Sequence, residues 1–176
     1  MNDKNATAIT QNWIREIVMG LNFCPFAAQP FAADAIRYVE WEGNDMQPIL
    51  ELFVKEMIHL DHHQETATTL IIIKGGFEKF NRYLQLIDIA DQLIEKESYS
   101  GIYQIASFHP KYLFAGSTES DPANYTNRSP YPMLHLLRED SLEQAIEKHV
   151  NADKIPEKNI QKATALGIEY FKNLGF

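Results

Sequence analysis

The chain has 176 residues, 45% hydrophobic and 11% aromatic, with a formal net charge of −8. That length and apolar content suit one domain with a real core. The acidic balance argues against a general nucleic-acid or membrane-surface binder, because phosphate-rich surfaces demand basic patches. Cys24 is the only cysteine, so no intramolecular disulfide can form. No apolar run approaches the roughly 18–20 residues of a membrane span. The opening MNDKNATAIT lacks the apolar segment of a signal peptide. A cytoplasmic location is therefore expected, with no nucleic acid and no membrane as partner.

Ile9 to Leu21 is predicted as a helix, since Trp13, Ile17 and Leu21 recur every four residues with Ile14 and Val18 beside them. Phe23-Cys24-Pro25-Phe26 follows. Pro25 pushes Cys24 toward an extended conformation, which puts the thiol on a turn. A loop at Phe31–Ala33 leads to a strand over Ala35–Trp41, closed by Glu42-Gly43-Asn44. Asp45 is placed to cap a helix from Met46 to about His63, with Met46, Leu50, Phe53, Met57 and Leu60 as its apolar stripe. Thr68–Ile73 reads as a strand buried on both faces. Lys74-Gly75-Gly76 breaks it, and Phe77 to about Lys96 reads as the next helix.

Ile102–Phe108 is the third strand, and His109-Pro110 ends it because proline cannot donate to a ladder. Lys111–Ala115 is a candidate for a short fourth strand. Gly116 to Tyr131 is a long polar loop, and such loops in compact domains are usually functional or disordered. Tyr112, Phe114, Tyr125 and Tyr131 favour order. Pro132 suits the first position of a helix over Met133–Glu139. Ser141 and Gln144 have capping-box spacing for a helix running to about Val150. Pro156 opens a last helix, Glu157 to about Asn173, which Gly175 would stop. Alternating strands and helices imply an α/β fold. We expect a small, mainly parallel sheet of three to four strands, helices packed on it and a helical C-terminal third.

Parallel strands would bring Glu42-Gly43-Asn44, Lys74-Gly75-Gly76 and His109 to one sheet edge, where ligands bind in open α/β sheets. Cys24 and His109 form the sharpest candidate pair, a thiol nucleophile with a base. A thiol that only packs is the plainer alternative, with Phe23 and Phe26 beside it. Arg128 can fork onto a carboxylate or phosphate, or clamp the loop through Asp121, Glu119 or Glu139. Arg138, Asn127, Asp121 and His135 complete the candidate substrate-binding set. Asp121 and Asn127 equally suit turn hydrogen bonds, and His135 suits a core or groove. His59 and His63 share a helix face but lack the HExxH motif and further ligands, so no metal site is assigned. Lys74-Gly75-Gly76 matches no phosphate-loop pattern and reads as a plain turn.

LNFCPFA (21–27), the TTLIII strand, YQIASFHP (103–110), TNRSPYPMLHLLRE (126–139) and IPEKNI (155–160) together resemble the bacterial family catalogued as domain of unknown function 1415. The resemblance spans nearly the whole chain and implies a bacterial protein. It brings no activity, no cofactor and no catalytic residue with it. From the residues, three readings stand. The first is an enzyme acting on a small anionic molecule through Cys24 and His109, with Arg128 as anion clamp. The second is a non-catalytic sensor of a small ligand or anion. The third is a protein-interaction or maturation module using the tyrosine-rich loop. Neither cofactor nor oligomeric state follows from the residues.

Overall fold

The computed structural model describes residues 5–174. The Gly175 stop and the first four residues of MNDKNATAIT lie outside them. Helix α1 (Ala6–Trp13) opens on Asn5, whose side-chain oxygen accepts the Ala8 N–H at 3.3 Å. It continues into a π-helical stretch, Ile14–Met19. The Gly20 N–H reaches back five residues to the Arg15 carbonyl at 3.0 Å, and Phe23 does the same to Val18 at 2.9 Å. A Cβ at Gly20 would lie 2.3 Å from the Glu16 carbonyl oxygen, so the widened turn requires glycine there. The chain then swings through a short α2 (Ala28–Ala32), where a loop was expected.

Next come β1 (Ile36–Trp41), α3 (Met46–His62), β2 (Thr68–Ile73), α4 (Phe80–Lys96) and β3 (Tyr103–Phe108), in the expected order. The Met133–Glu139 segment is not a helix. It is β4 (Met133–Arg138), and the sheet order is β1-β2-β4-β3. β1 and β2 are parallel, whereas β4 runs antiparallel to both β2 and β3. The sheet is therefore mixed rather than mainly parallel. The α/β class holds, and β1, β2 and β3 do point the same way. The physical reason is a short apolar run whose period cannot separate helix from strand. Pairing decides it: His135 sits between Leu70 and Ala106 in the ladder. Pro132, expected to start a helix, instead lends its carbonyl to the Ile73 N–H at 2.9 Å. Lys111–Ala115 forms no strand.

Alternation along the strands builds two apolar layers. One face carries Ile71, Ile73, Leu134, Leu136 and Tyr103 against Ile49, Phe53 and Met57 of α3 and Tyr83, Leu86 and Ala90 of α4. The other carries Leu70, Ile72 and Met133 against Trp13, Ile14, Ile17 and Phe23. Ala163 and Phe171 complete this second layer. They come from α6 (Ile155–Leu166) and α7 (Ile168–Asn173), the expected last helix broken by Gly167 at φ 75°. α5 (Glu139–Lys148) starts before Ser141, so the expected capping box does not form. Among the described residues, no helix is long and apolar enough to cross a membrane.

Candidate functional site

The C-terminal ends of β1, β2 and β3 share one edge of the sheet, and the loop from His109 to Pro132 lies there. The loop is held by its own polar groups. Asn124 is fully buried; its amide oxygen accepts the Phe114 N–H at 3.0 Å, and its amide nitrogen donates to Thr118 O at 2.8 Å. Asp121 caps a 3-10 turn over Pro122–Thr126, accepting the Ala123 N–H and the Ser117 hydroxyl, each at 2.9 Å. Asn127 donates to Ser107 O at 3.3 Å, and its carbonyl accepts the His109 N–H at 3.2 Å. Asp121 and Asn127 thus spend their side chains on turns and on docking the loop to β3.

Arg128 sits at the centre of this loop, half-buried. Its Nε donates to Tyr112 O at 3.2 Å and its Nη2 to Glu119 O at 3.0 Å. The guanidinium carbon lies 4.5 Å from the centre of the Tyr125 ring. Tyr125 in turn stacks on Phe171 of α7 at 4.5 Å and 13°. The Arg128 carbonyl accepts the Trp13 indole N–H at 3.1 Å. The clamp expected on Asp121, Glu119 or Glu139 is made through main-chain carbonyls instead. No carboxylate pairs with Arg128 among the described residues. A guanidinium has five N–H donors. Two are used here, which leaves three, two on Nη1 and one on Nη2.

His109 is fully buried, with both ring nitrogens engaged. Its Nδ1 accepts the Lys111 N–H at 2.9 Å, and its Nε2 lies 2.9 Å from the Phe77 carbonyl. The first bond makes Nδ1 the acceptor, so Nε2 carries the proton and donates. Burial pushes the imidazole below its ordinary range, opposed by the Phe77 carbonyl. This histidine holds Phe77 and the Pro110 corner together.

Cys24 is half-buried after Phe23 of the second layer, whereas the His109 ring packs on Phe80 and Tyr83 of α4, against the first. No hydrogen bond joins the two among the described residues. Burial pushes the thiol up, and the backbone N–H groups of Phe26 and Ala27 oppose that.

Arg138 lies at the far end of β4, five residues or about 17 Å from Met133. It donates to Leu60 O and to His63 O at 2.6 and 3.1 Å, capping α3. It cannot share a ligand with Arg128. His135 is mid-strand on the second-layer face, with Phe108 at 6.1 Å. Its Nε2 is shut from solvent and has no partner among the described residues, and burial pushes the ring down to about 4. His59 and His63 stack at 4.1 Å, and no cluster of three metal-ligating side chains occurs among the described residues. Gly76 takes φ 81° and packs where a Cβ would meet Gly43 O at 2.4 Å. The two loops thus lock together at this edge.

Compared with known families, the chain matches one over residues 5–173, described as a protein of unknown function (DUF1415). The chain belongs to the DUF1415 family. No curated protein and no solved structure matches it. Every residue of the Arg128 loop falls within the DUF1415 match. Sequence reasoning singled out Arg128 but missed its partners. Tyr125 was legible as an aromatic three residues before Arg128. Trp13 and Phe171, reached from 115 and 43 positions away, carry no local signal.

Proposed function

We propose that this DUF1415 protein binds a small carboxylate or phosphate at Arg128 without transforming it. One observation carries the reading: a guanidinium fixed by two carbonyls and an aromatic face, with three donors and a full charge left unmatched. Carbonyl bonds orient an arginine without neutralising it. A pre-oriented fork binds an oxyanion in bidentate fashion with little further ordering. The site stands out against a chain of net charge −8, so its attraction is local and should weaken with salt. The thiol reading has one favourable observation, the two backbone N–H groups at Cys24, which stabilise a thiolate. Burial outweighs them, and His109 has no free nitrogen to serve as its base.

Titration calorimetry with phosphate and with acetate tests the proposal. Saturable binding is expected in the parent protein at low salt. It should vanish in Arg128→Gln, provided that variant still melts cooperatively. No saturable binding by the parent, or equal binding by folded Arg128→Gln, would overturn it.

A further inference from the structure

The stack at Arg128 has a direction. Phe171 covers one face of the Tyr125 ring at 4.5 Å, nearly parallel. The guanidinium carbon lies over the same ring, also at 4.5 Å. Two groups at that distance cannot occupy one face, so the order is Phe171, Tyr125, Arg128. Each layer is planar. Phe171 is buried and ends the stack inside the molecule. The Arg128 end lies toward solvent, since its bond to Glu119 O is at the surface. Tyr125 is the only aromatic ring over this guanidinium among the described residues. A planar group can therefore approach this guanidinium from the solvent side, opposite Tyr125.

Tyr112 and Phe114 lie beside it. Tyr112 is tied to Arg128 Nε through its carbonyl, and its ring meets Phe114 at 5.0 Å and 68°. Both rings are half-exposed. A guanidinium stacks on aromatic faces and pairs with oxyanions in its own plane, so one arginine can grip both parts of one molecule.

Resting on the anion site proposed above, we infer that its ligand is a planar, conjugated acid. The ring lies on the outer face of Arg128 as the next layer of the stack. A carboxylate carried by the ring, or by a short arm from it, reaches the free Nη donors.

Benzoate and cyclohexanecarboxylate serve as probes, equal in charge and close in size but differing in planarity. Benzoate is expected to bind roughly tenfold more tightly. Arg128→Lys, which keeps the charge and removes the planar face, should erase that preference while cyclohexanecarboxylate still binds. In proton–nitrogen correlation spectra, the Trp13 indole signal should move on adding benzoate, because that N–H bonds to the Arg128 carbonyl. The Trp41 indole signal should stay. Equal affinity for the two acids, or a shift at Trp41 alone, would overturn the stacking inference and leave the anion site standing. Failure of both acids and of phosphate to bind would overturn site and inference together.

Discussion

The Trp13 indole N–H donates to the Arg128 main-chain carbonyl at 3.1 Å, joining the end of α1 to the loop over the sheet edge. Trp13 is also edge-on to Phe108 at 5.3 Å. Trp13→Phe would keep an aromatic ring there and strand the carbonyl. We expect a loss of about 1–2 kcal/mol, the value of one part-buried hydrogen bond and its unmet acceptor. Denaturant melts would measure it, and limited proteolysis should show faster cutting between Ser117 and Ser129. An unchanged melt would mean that water replaces the indole.

Arg128→Ala removes two carbonyl bonds and one cation–π contact, but it breaks no ion pair. The expected loss is roughly 1–2 kcal/mol. A buried salt bridge broken at one partner would lose roughly 3–5 kcal/mol. A melt showing the larger figure would reveal a carboxylate partner in solution and weaken the anion-site proposal.

Gly76→Ala tests the lock between the loops that follow β1 and β2. The new methyl would meet the Gly43 oxygen at 2.4 Å and the Asn44 Cα at 2.7 Å, at a φ of 81°. Backbone strain and overpacking add here. A destabilisation of about 3 kcal/mol is expected in urea titrations. Gly101→Ala supplies the comparison, since its φ is 78° with nothing in reach of a Cβ. It should lose only about 1 kcal/mol.

His135 and His109 make stability depend on pH in the same direction. Burial holds both rings below their ordinary range, His135 at about 4. An unfolded imidazole titrates near 6.5. Between those values the unfolded chain takes up a proton that the folded chain refuses. Stability is therefore fully present above about pH 6.5 and falls as the pH drops toward 4. For His135 alone the loss approaches roughly 3 kcal/mol. His135→Leu should flatten that part of the profile between pH 7 and 4. A variant with the parent's slope would show that the ring is solvated.

The thiol of Cys24 should react slowly with iodoacetamide below pH 8, because burial raises it and only the backbone N–H groups of Phe26 and Ala27 oppose that. His109→Gln should leave that rate unchanged while lowering the melting temperature, since Phe77 O and Lys111 N lose their partner. A rate at pH 7 equal to that of a small free thiol would restore the nucleophile reading. A rate that fell in His109→Gln would do the same for the pair.

Much of the architecture was legible because local chemistry decided it. TTLIII carries β-branched or apolar residues throughout and is buried at every position, as a strand covered on both faces demands. His109-Pro110 marked the strand end correctly. The Met133–Arg138 strand was not legible. Its six residues pair with Thr68–Ile72 and Tyr103–Phe108, and nothing between Pro132 and Glu139 records those distant partners. The site shows the same split. Arg128 stood out as the lone charge among neutral polar residues. Whether it met carboxylates or carbonyls depended on how the loop folded over it. His109 looked reactive for its place at a strand end, yet its role is set by the Phe77 carbonyl, 32 residues away.

The position of β4 bears on how the chain folds. It is last in sequence among the strands and lies inside the sheet, between β2 and β3. During synthesis, β1 and β2 can pair as soon as α3 has formed between them. β3 then has no neighbour, because among the described residues it pairs with β4 alone. Until residues 133–138 leave the ribosome, β2 and β3 each expose an unpaired edge, and an apolar one on β2. Such edges invite pairing with other chains. Insertion of one late strand closes both at once. The barrier to folding should therefore lie at this insertion, which joins segments more than sixty residues apart. A nascent chain stalled before Met133 should be the species most prone to aggregate.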